Sequence, residues 1–245
     1  MVNTFACNTL LQKIYDLRRR LGHDGRMISV VIPTLNAQEG LTRCFDSLIG
    51  ATVGGVVREV IVADGGSSDD TLAIADAAGA HLVRAGKSRA EQLAAGAKAA
   101  RGDWLLFLHP ETALAPGWEV EAEAFMARVT LDRPRAAAFR FGLDAFEARA
   151  RRAEALAWLR CWLFKLPYGE QGMLIPKRLY NKLGGYREVA MEDVDLVRRI
   201  GSRRLTMLRA RAVNKTATSL SAPRRLALTV LHALRLPNAM LARLG

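Results

Sequence analysis

The chain carries 245 residues, half of them hydrophobic and 24% charged, which supports one well-cored domain with a terminal appendage and excludes extended disorder. Lys and Arg number 36 against 24 Asp and Glu, and the surplus of +12 calls for an anionic partner such as a nucleotide, a nucleic acid or a membrane surface. Cys7, Cys44 and Cys161 are odd in number and far apart, so they suggest neither a disulfide framework nor a cysteine zinc site, and a reducing cytoplasm fits.

The first residues lack a charged-then-apolar leader, and no apolar run approaches the ~18 residues needed to cross a bilayer. The expectation is a protein neither exported nor membrane-spanning. Residues 1–26 read as a polar extension, and Met27, directly before the first strand signal, is expected as an alternative translation start. From there short β-branched runs at 28–33, 59–64, His81–Arg84 and 104–109 alternate with helical spacing at 37–49, 69–78 and 89–100, a βαβ pattern that implies a parallel sheet. Asn36 with Glu39, and Ser88 with Glu91, have capping-box spacing, while Ser67 and Ser68 precede Asp69 and Asp70 in a first turn. Beyond Gly117 the pattern loosens into a helix at 120–130, a strand at 136–141, an Ala- and Arg-rich helix at 144–164, a short helix after Pro176 and a helix running to Ile200. The domain is set at 27–210, with 211–245 as a basic amphipathic extension.

Open parallel sheets bind ligands at the carboxyl ends of their strands, and three polar clusters fall there. The first strand ends in Pro33, Thr34, Leu35 and Asn36; the second in Asp64, Gly65, Gly66, Ser67, Ser68 and Asp69; the fourth in His109, Pro110, Glu111 and Thr112. Asp64 closes an apolar strand, and the glycines after it permit close backbone approach to a nucleoside or phosphate; a tight turn with a helix cap is the plainer alternative. Glu111 suits a divalent cation held against a diphosphate, against the alternative of a solvent-facing loop acid. Farther on stand Tyr168, Gly169, Glu170, Gln171 and Gly172, then Gly184, Gly185 and Tyr186, then Glu192 and Asp193; acids at that last place are also favoured by a helix dipole.

In this order the motifs Val30 through Asn36, Asp64 through Asp69, Arg89 with Gln92 and Gly96, Leu108 through Thr112, and Glu192-Asp193 resemble the family 2 glycosyltransferases with the GT-A fold. Within them the chain resembles the subgroup found near radical SAM and selenium-related genes, over roughly residues 28–200. The resemblance implies an α/β, Rossmann-like GT-A domain with a mostly parallel sheet. It implies nucleotide-sugar binding by Pro33, Thr34, Asn36, Glu39, Asp64, Gly65, Ser67, Arg89, Gln92 and His109, with Asp64 bonding the base. It further implies acceptor binding by Tyr168, Glu170 and Gln171, and Mg²⁺ or Mn²⁺ at Glu111, in the place of the last Asp of the family's Asp-x-Asp motif. Asp193, beside Glu192, resembles the family's catalytic base. His109-Pro110-Glu111 departs from Asp-x-Asp and changes the reach of the carboxylate.

The implied reaction is an inverting transfer from a nucleotide-diphosphate donor, a UDP-sugar in the first instance. The base takes the acceptor proton on one side, and the cation with Arg84, Lys87 or Arg89 stabilises the leaving diphosphate on the other. Trp158 and Trp162, among Leu and Arg, would line an acceptor groove or pack as core. Arg224, Arg225, Arg235 and Arg243 among Leu and Val suit an interfacial helix on an anionic membrane, or docking on the domain itself. A lipid-linked acceptor and a cytoplasmic enzyme peripheral to the inner face of the membrane would rationalise both features. The rivals are a catalytically impaired nucleotide-binding protein and a basic membrane- or nucleic-acid-binding module; with no recognised nucleic-acid motif, that partner is not expected. A Rossmann dehydrogenase is set aside, because G-x-G-x-x-G is absent after the first strand.

Overall fold

The computed structural model describes residues 26–144, 151, 153–155, 157–158, 161, 167, 169–189 and 191–215. The 1–26 extension apart from Arg26, the 211–245 extension past Lys215, Tyr168, Trp162 and much of the expected 144–164 helix lie outside the described residues. Eight strands, β1 (Ile28–Thr34), β2 (Val57–Asp64), β3 (His81–Arg84), β4 (Trp104–Phe107), β5 (Thr112–Leu114), β6 (Ala136–Leu143), β7 (Met173–Pro176) and β8 (Leu205–Asn214), form one sheet. Helices α1 (Gln38–Asp46), α2 (Ile49–Val53), α3 (Thr71–Ala77), α4 (Arg89–Ala99), α5 (Trp118–Arg128), α6 (Lys177–Lys182) and α7 (Glu192–Ile200) surround it.

The sheet order is β3-β2-β1-β4-β7-β6-β8-β5. Strands β1, β2, β3 and β4 pair in parallel, as do β6 and β8, whereas β7 and β5 run antiparallel to their neighbours. The sheet is thus mixed and mostly parallel. All seven residues of β1 are buried, the hydroxyls of Ser29 and Thr34 included, and its near-continuous apolar run is that of a strand covered on both faces. On one face Val30 and Ile32 pack with Leu41, Cys44 and Leu48, and with Trp118, Phe125 and Met126 of α5. On the other, Val31 and Ile61 meet Leu93 and Ala97 of α4 and Leu196, Val197 and Ile200 of α7. Each Val, Leu, Ile, Phe or Met among them contributes about 1.5–3 kcal/mol on burial. Gly96 lets α4 lie close: a Cβ there would stand 2.4 Å from Val31 Cγ1.

The expected α/β alternation through β4 is present, with shifts at the ends. The helix expected at 37–49 breaks into α1 and α2 at Ser47, where the hydroxyl donates to the Cys44 carbonyl at 2.7 Å and Trp118 Nε1 donates to the Ser47 carbonyl at 3.0 Å. Side-chain bonds there compete with the helical ladder. The capping box expected from Asn36 and Glu39 is not formed; Ala37 takes the cap position, because the Asn36 side chain bonds the neighbouring loop instead. At Ser88 the box forms as expected, with the hydroxyl accepting from Glu91 N–H and the Glu91 carboxylate accepting from Ser88 N–H. Strands β5, β7 and β8 were not expected, and the domain edge placed at 210 falls inside β8.

Candidate active site

Two loops at the carboxyl ends of β1 and β2 form the first of two banks of interacting residues at the strand ends. Asp64, the last residue of β2, is 5% exposed. Its Oδ2 accepts from the N–H groups of Gly66 and Ser67 at 2.8 and 2.9 Å, and its Oδ1 accepts from the hydroxyls of Ser67 and Thr34. Burial opposes its charge, but these hydrogen bonds prevail, so the carboxyl lies below its ordinary pKa. Gly66 turns at φ 101°, and Asn36 is left-handed at φ 53°, a region that Asn tolerates. Asn36 N–H donates to Ser67 Oγ, and Asn36 Oδ1 accepts from Ser68 N–H, both at 2.9 Å. Ala37 N–H donates to Thr71 Oγ1, and Gln38 N–H to Asp69 Oδ2. The two loops are therefore stitched into one surface, with Pro33 buried at its floor and Asn36 and Glu39 exposed.

Behind this surface, a Cβ on Gly65 would stand 2.3 Å from Gln92 Nε2. Gln92 is buried and donates to the Lys87 carbonyl at 3.2 Å. Gln92 therefore braces the loop between β3 and α4.

The opposite bank centres on Arg89, at the first turn of α4. One guanidinium nitrogen, Nη1, donates to Glu192 Oε1 at 2.9 Å and to Asp193 Oδ2 at 2.6 Å. Tyr186 OH donates to Asp193 Oδ1 at 3.2 Å. Burial works against the charge on Arg89, but Asp193 and Glu192 more than offset it and raise its pKa further. Burial, then the charge of Asp193, pushes the Glu192 carboxyl up against the opposing pull of Arg89. Burial first and Asp193 second lift the Tyr186 hydroxyl well above its usual range, so it stays a proton donor. Glu192 and Asp193 stand in the first turn of α7, the Glu192 carboxylate also accepting from its own backbone N–H, and the cap is Met191, left-handed at φ 64° with no side-chain cap bond. That conformation costs roughly 1–2 kcal/mol in a non-glycine residue. It directly precedes the two carboxylates, as backbone strain often does at functional sites.

Gly169 roofs this bank. A Cβ there would stand 2.3 Å from Arg89 Nη2 and 2.4 Å from Asp193 Oδ2. Next to it, Glu170 presents its backbone carbonyl to the Asn214 amide at 3.2 Å. Gln171 is buried and turned inward, its Nε2 donating to the Phe139 carbonyl at 3.0 Å and its Oε1 accepting from Cys161 Sγ. Its carboxamide braces the loop.

Between the banks, the turn after β4 carries His109, Pro110 and Glu111 and is closed by Thr112 N–H to the His109 carbonyl at 3.0 Å. His109 Nδ1 accepts from Glu111 N–H at 3.3 Å. Burial and the nearby Arg89 charge lower the imidazole to a pKa of about 4, with Asp193 pulling the other way, so it is neutral at pH 7. Gly40 of α1 makes room for this turn, since a Cβ there would lie 2.8 Å from both Cα and Cγ of Glu111. No group of three or more His, Cys, Asp and Glu able to hold a metal occurs among the described residues. One carboxylate on a closed turn at the strand ends fits a cation held jointly with substrate phosphates, as Mg²⁺ commonly is.

The expected residues Thr34, Asn36, Asp64 and Ser67 thus form one hydrogen-bonded bank, and Arg89, Glu192 and Asp193 the other, with His109 and Glu111 on the turn between them. Arg84 and Lys87 are exposed and stand outside the Arg89 carboxylate cluster. Tyr186 and Asn214 carry roles that were not expected from the sequence. Tyr186 follows the paired glycines Gly184 and Gly185, both at positive φ, and that doublet was the available signal. No helix among the described residues is long and apolar enough to cross a membrane.

Residues 29–126, spanning β1 through most of α5, match the model of Glycosyl transferase family 2. Over 95 residues the chain is 41% identical to glucosyl-3-phosphoglycerate synthase of Mycolicibacterium paratuberculosis, a match covering 34% of this chain and 28% of that protein. It is 35% identical over 95 residues to a PGL/p-HBAD biosynthesis glycosyltransferase of Mycobacterium tuberculosis, covering 36% of each. The chain thus aligns with only 28% and 36% of the length of these relatives. Glucosyl-3-phosphoglycerate synthase from Mycobacterium tuberculosis, in complex with Mn²⁺ and UDP-glucose, superposes with a TM-score of 0.60 at 21% identity, over 93% of this chain and 84% of that one. Its complex with Mn²⁺, UDP-glucose and phosphoglyceric acid superposes with a TM-score of 0.60 at 20% identity, over 93% and 84%. The matched segment is similar to this broad family, and none of these matches supports the narrower radical SAM subgroup.

Proposed function

We infer that this chain, which folds as a GT-A domain and carries a family 2 glycosyltransferase segment at residues 29–126, transfers a hexosyl group from a UDP-sugar to an acceptor hydroxyl. The observation that carries this reading is the sideways reach of Glu192 and Asp193 to Arg89, about a hundred residues away in sequence, at the strand ends where the Asp64 loop also opens. UDP-glucose is the first donor to test, because the structural relatives are described with it.

The stitched loops of Asn36 and Asp64 form a rigid floor for the nucleoside, with Asp64 as the post that shapes it and, in this reading, meets the base. Asp193 takes the acceptor proton. Each of its oxygens accepts one hydrogen bond, from Arg89 and from Tyr186, and a carboxylate oxygen has a second lone pair to offer. Such a base contributes about 10²–10⁴ in rate. Arg89 supplies positive charge toward the departing diphosphate, and neutral His109 a polar contact beside it. A divalent cation held by Glu111 and the diphosphate would neutralise charge on the leaving group. Gly169 and Glu170 border the acceptor side. The acceptor itself is either a small acid such as phosphoglyceric acid, present in one relative's complex, or a lipid-linked alcohol.

The reading is tested by UDP release from UDP-glucose with Mn²⁺ and an acceptor panel, together with the anomeric configuration of the product. Wild-type protein should turn over and Asp193→Asn should lose about 10²–10⁴ in rate while still binding UDP. Inversion at the anomeric carbon supports Asp193 as base; retention removes that role. UDP binding without turnover in either form would favour the impaired nucleotide-binding protein.

A further inference from the structure

Asn214, the last residue of β8, lies beyond the family-matched segment and has a buried side chain, 2% exposed. Its Oδ1 accepts from Thr112 Oγ1 at 2.6 Å, and its Nδ2 donates to the backbone carbonyls of Glu170 at 3.2 Å and Ala212 at 3.3 Å. The opposite amide orientation would set an oxygen against two carbonyl oxygens, so the network itself fixes which end faces which.

Each long-range partner adjoins a different candidate site residue. Thr112 follows Glu111 and closes the turn that carries it. Glu170 follows Gly169, whose backbone lies against the Arg89–Asp193 pair. The Asn214 carboxamide thus bridges the Glu111 turn and the 169–171 loop, alongside the pairing of Thr112 with Asn214 between β5 and β8 and a longer 3.4 Å contact from Thr112 Oγ1 to the Glu170 carbonyl. A side chain in this place must accept from a hydroxyl and donate to a carbonyl at once: an ionised Asp cannot donate and Leu can do neither. Burial keeps water from substituting readily, which raises the cost of a lost partner.

We propose that Asn214 is a positioning residue that fixes the Glu111 turn relative to the loop over Asp193, and so sets how well Glu111 can share a cation with the donor diphosphate. The inference rests on the reading of Glu111 as cation ligand given above. It predicts an effect on metal-linked nucleotide binding that is separable from the uridine-side loops, since no hydrogen bond of Asn214 reaches Asn36 or Asp64 in the network described.

The test is calorimetric titration of UDP into wild-type protein, Asn214→Asp, Thr112→Val and Thr112→Ser, with and without Mn²⁺. Wild-type protein should bind UDP more tightly with Mn²⁺. Asn214→Asp and Thr112→Val should keep metal-free UDP affinity within about twofold and lose about tenfold of the Mn²⁺-linked gain, the scale of a lost partner behind a metal ligand. Thr112→Ser, which keeps the hydroxyl, should retain the gain. A full Mn²⁺-linked gain in Thr112→Val or Asn214→Asp would overturn the proposal, as would equal losses with and without metal. If Asn214→Asp does not fold, the Thr112 pair decides alone. Wild-type protein that binds UDP with no Mn²⁺ effect would refute the cation reading, and this inference with it; wild-type protein that does not bind UDP would refute the donor assignment.

Discussion

The two banks at the strand ends are built by different physics. The Asn36 and Asp64 bank is held mostly by backbone N–H groups donating to side-chain oxygens of two short loops. The Arg89 bank is held by charge: one guanidinium between two carboxylates of α7, with a tyrosine hydroxyl closing the set. A bank made of backbone hydrogen bonds resists change and suits the recognition of an invariant ligand part. A bank made of side-chain charges can be rearranged by a ligand's own charge, and suits the place where bonds are exchanged. Substitutions on the first bank should therefore act on stability and nucleotide affinity, and those on the second on rate.

The largest effect that separates the banks is expected at Arg89. Arg89→Ala should lower turnover by about 10²–10³-fold through the loss of charge beside the diphosphate. Its stability cost should stay at or below about 3 kcal/mol, because the arginine side chain is 34% exposed and solvent screens part of the interaction. Paired chemical denaturation and turnover measurements check this. A large stability loss with unchanged rate would make the cluster purely structural.

At Asp64 the balance should reverse. Asp64→Ala leaves the donors of Gly66, Ser67 and Thr34 without their acceptor and should cost about 1–3 kcal/mol, with UDP affinity falling alongside. Because the folded carboxyl is depressed, its contribution is present above the unfolded carboxyl pKa and is lost as pH falls through the folded one. Acid unfolding of Asp64→Asn should accordingly show a weaker pH dependence than that of wild type.

A subtler check falls on the turn between the banks. His109 should titrate near pH 4, read by NMR of the imidazole, and not near its ordinary 6.5. With the folded pKa lowered, the unfolded chain takes up the proton first, so stability should decline as pH falls from about 6.5 toward 4. An imidazole that titrates at its ordinary value would mean that the turn is open to solvent.

The smallest effect belongs to the cap beneath Arg89. Ser88→Ala removes a capping box and should cost about 1 kcal/mol, seen as a small shift in denaturation midpoint with turnover nearly intact. A rate loss as large as that of Arg89→Ala would show that the helix start positions the guanidinium.

The same contrast explains what could be read from the sequence. Asp64 through Asp69 and Pro33 through Asn36 lie together in the chain, so short spacing revealed both the loops and the strands that deliver them. Arg89 and Glu192-Asp193 were legible as residues, but their junction depends on α4 and α7 packing on one face of the sheet, a contact spanning more than a hundred positions. Strand β8 was hidden by its own composition: Arg209 and Arg211 interrupt its apolar residues. In the fold they are the exposed members of a period-two alternation with buried Leu208 and Ala212. Missing β8 also hid Asn214 and placed the domain edge too early. The acceptor role of Gln171 came from the family resemblance; in the fold its buried carboxamide bonds the Phe139 carbonyl and Cys161.

The central claim is that both banks and the Glu111 turn serve one donor molecule. It is met most directly by calorimetric titration of UDP-glucose, with and without Mn²⁺, into wild-type protein, Asp64→Ala and Glu111→Gln. Saturable one-to-one binding that Mn²⁺ strengthens, that Asp64→Ala weakens in both conditions and that Glu111→Gln weakens only with Mn²⁺, is the predicted result. Wild-type protein indifferent to UDP-glucose, or binding it with no dependence on either residue, would contradict the account.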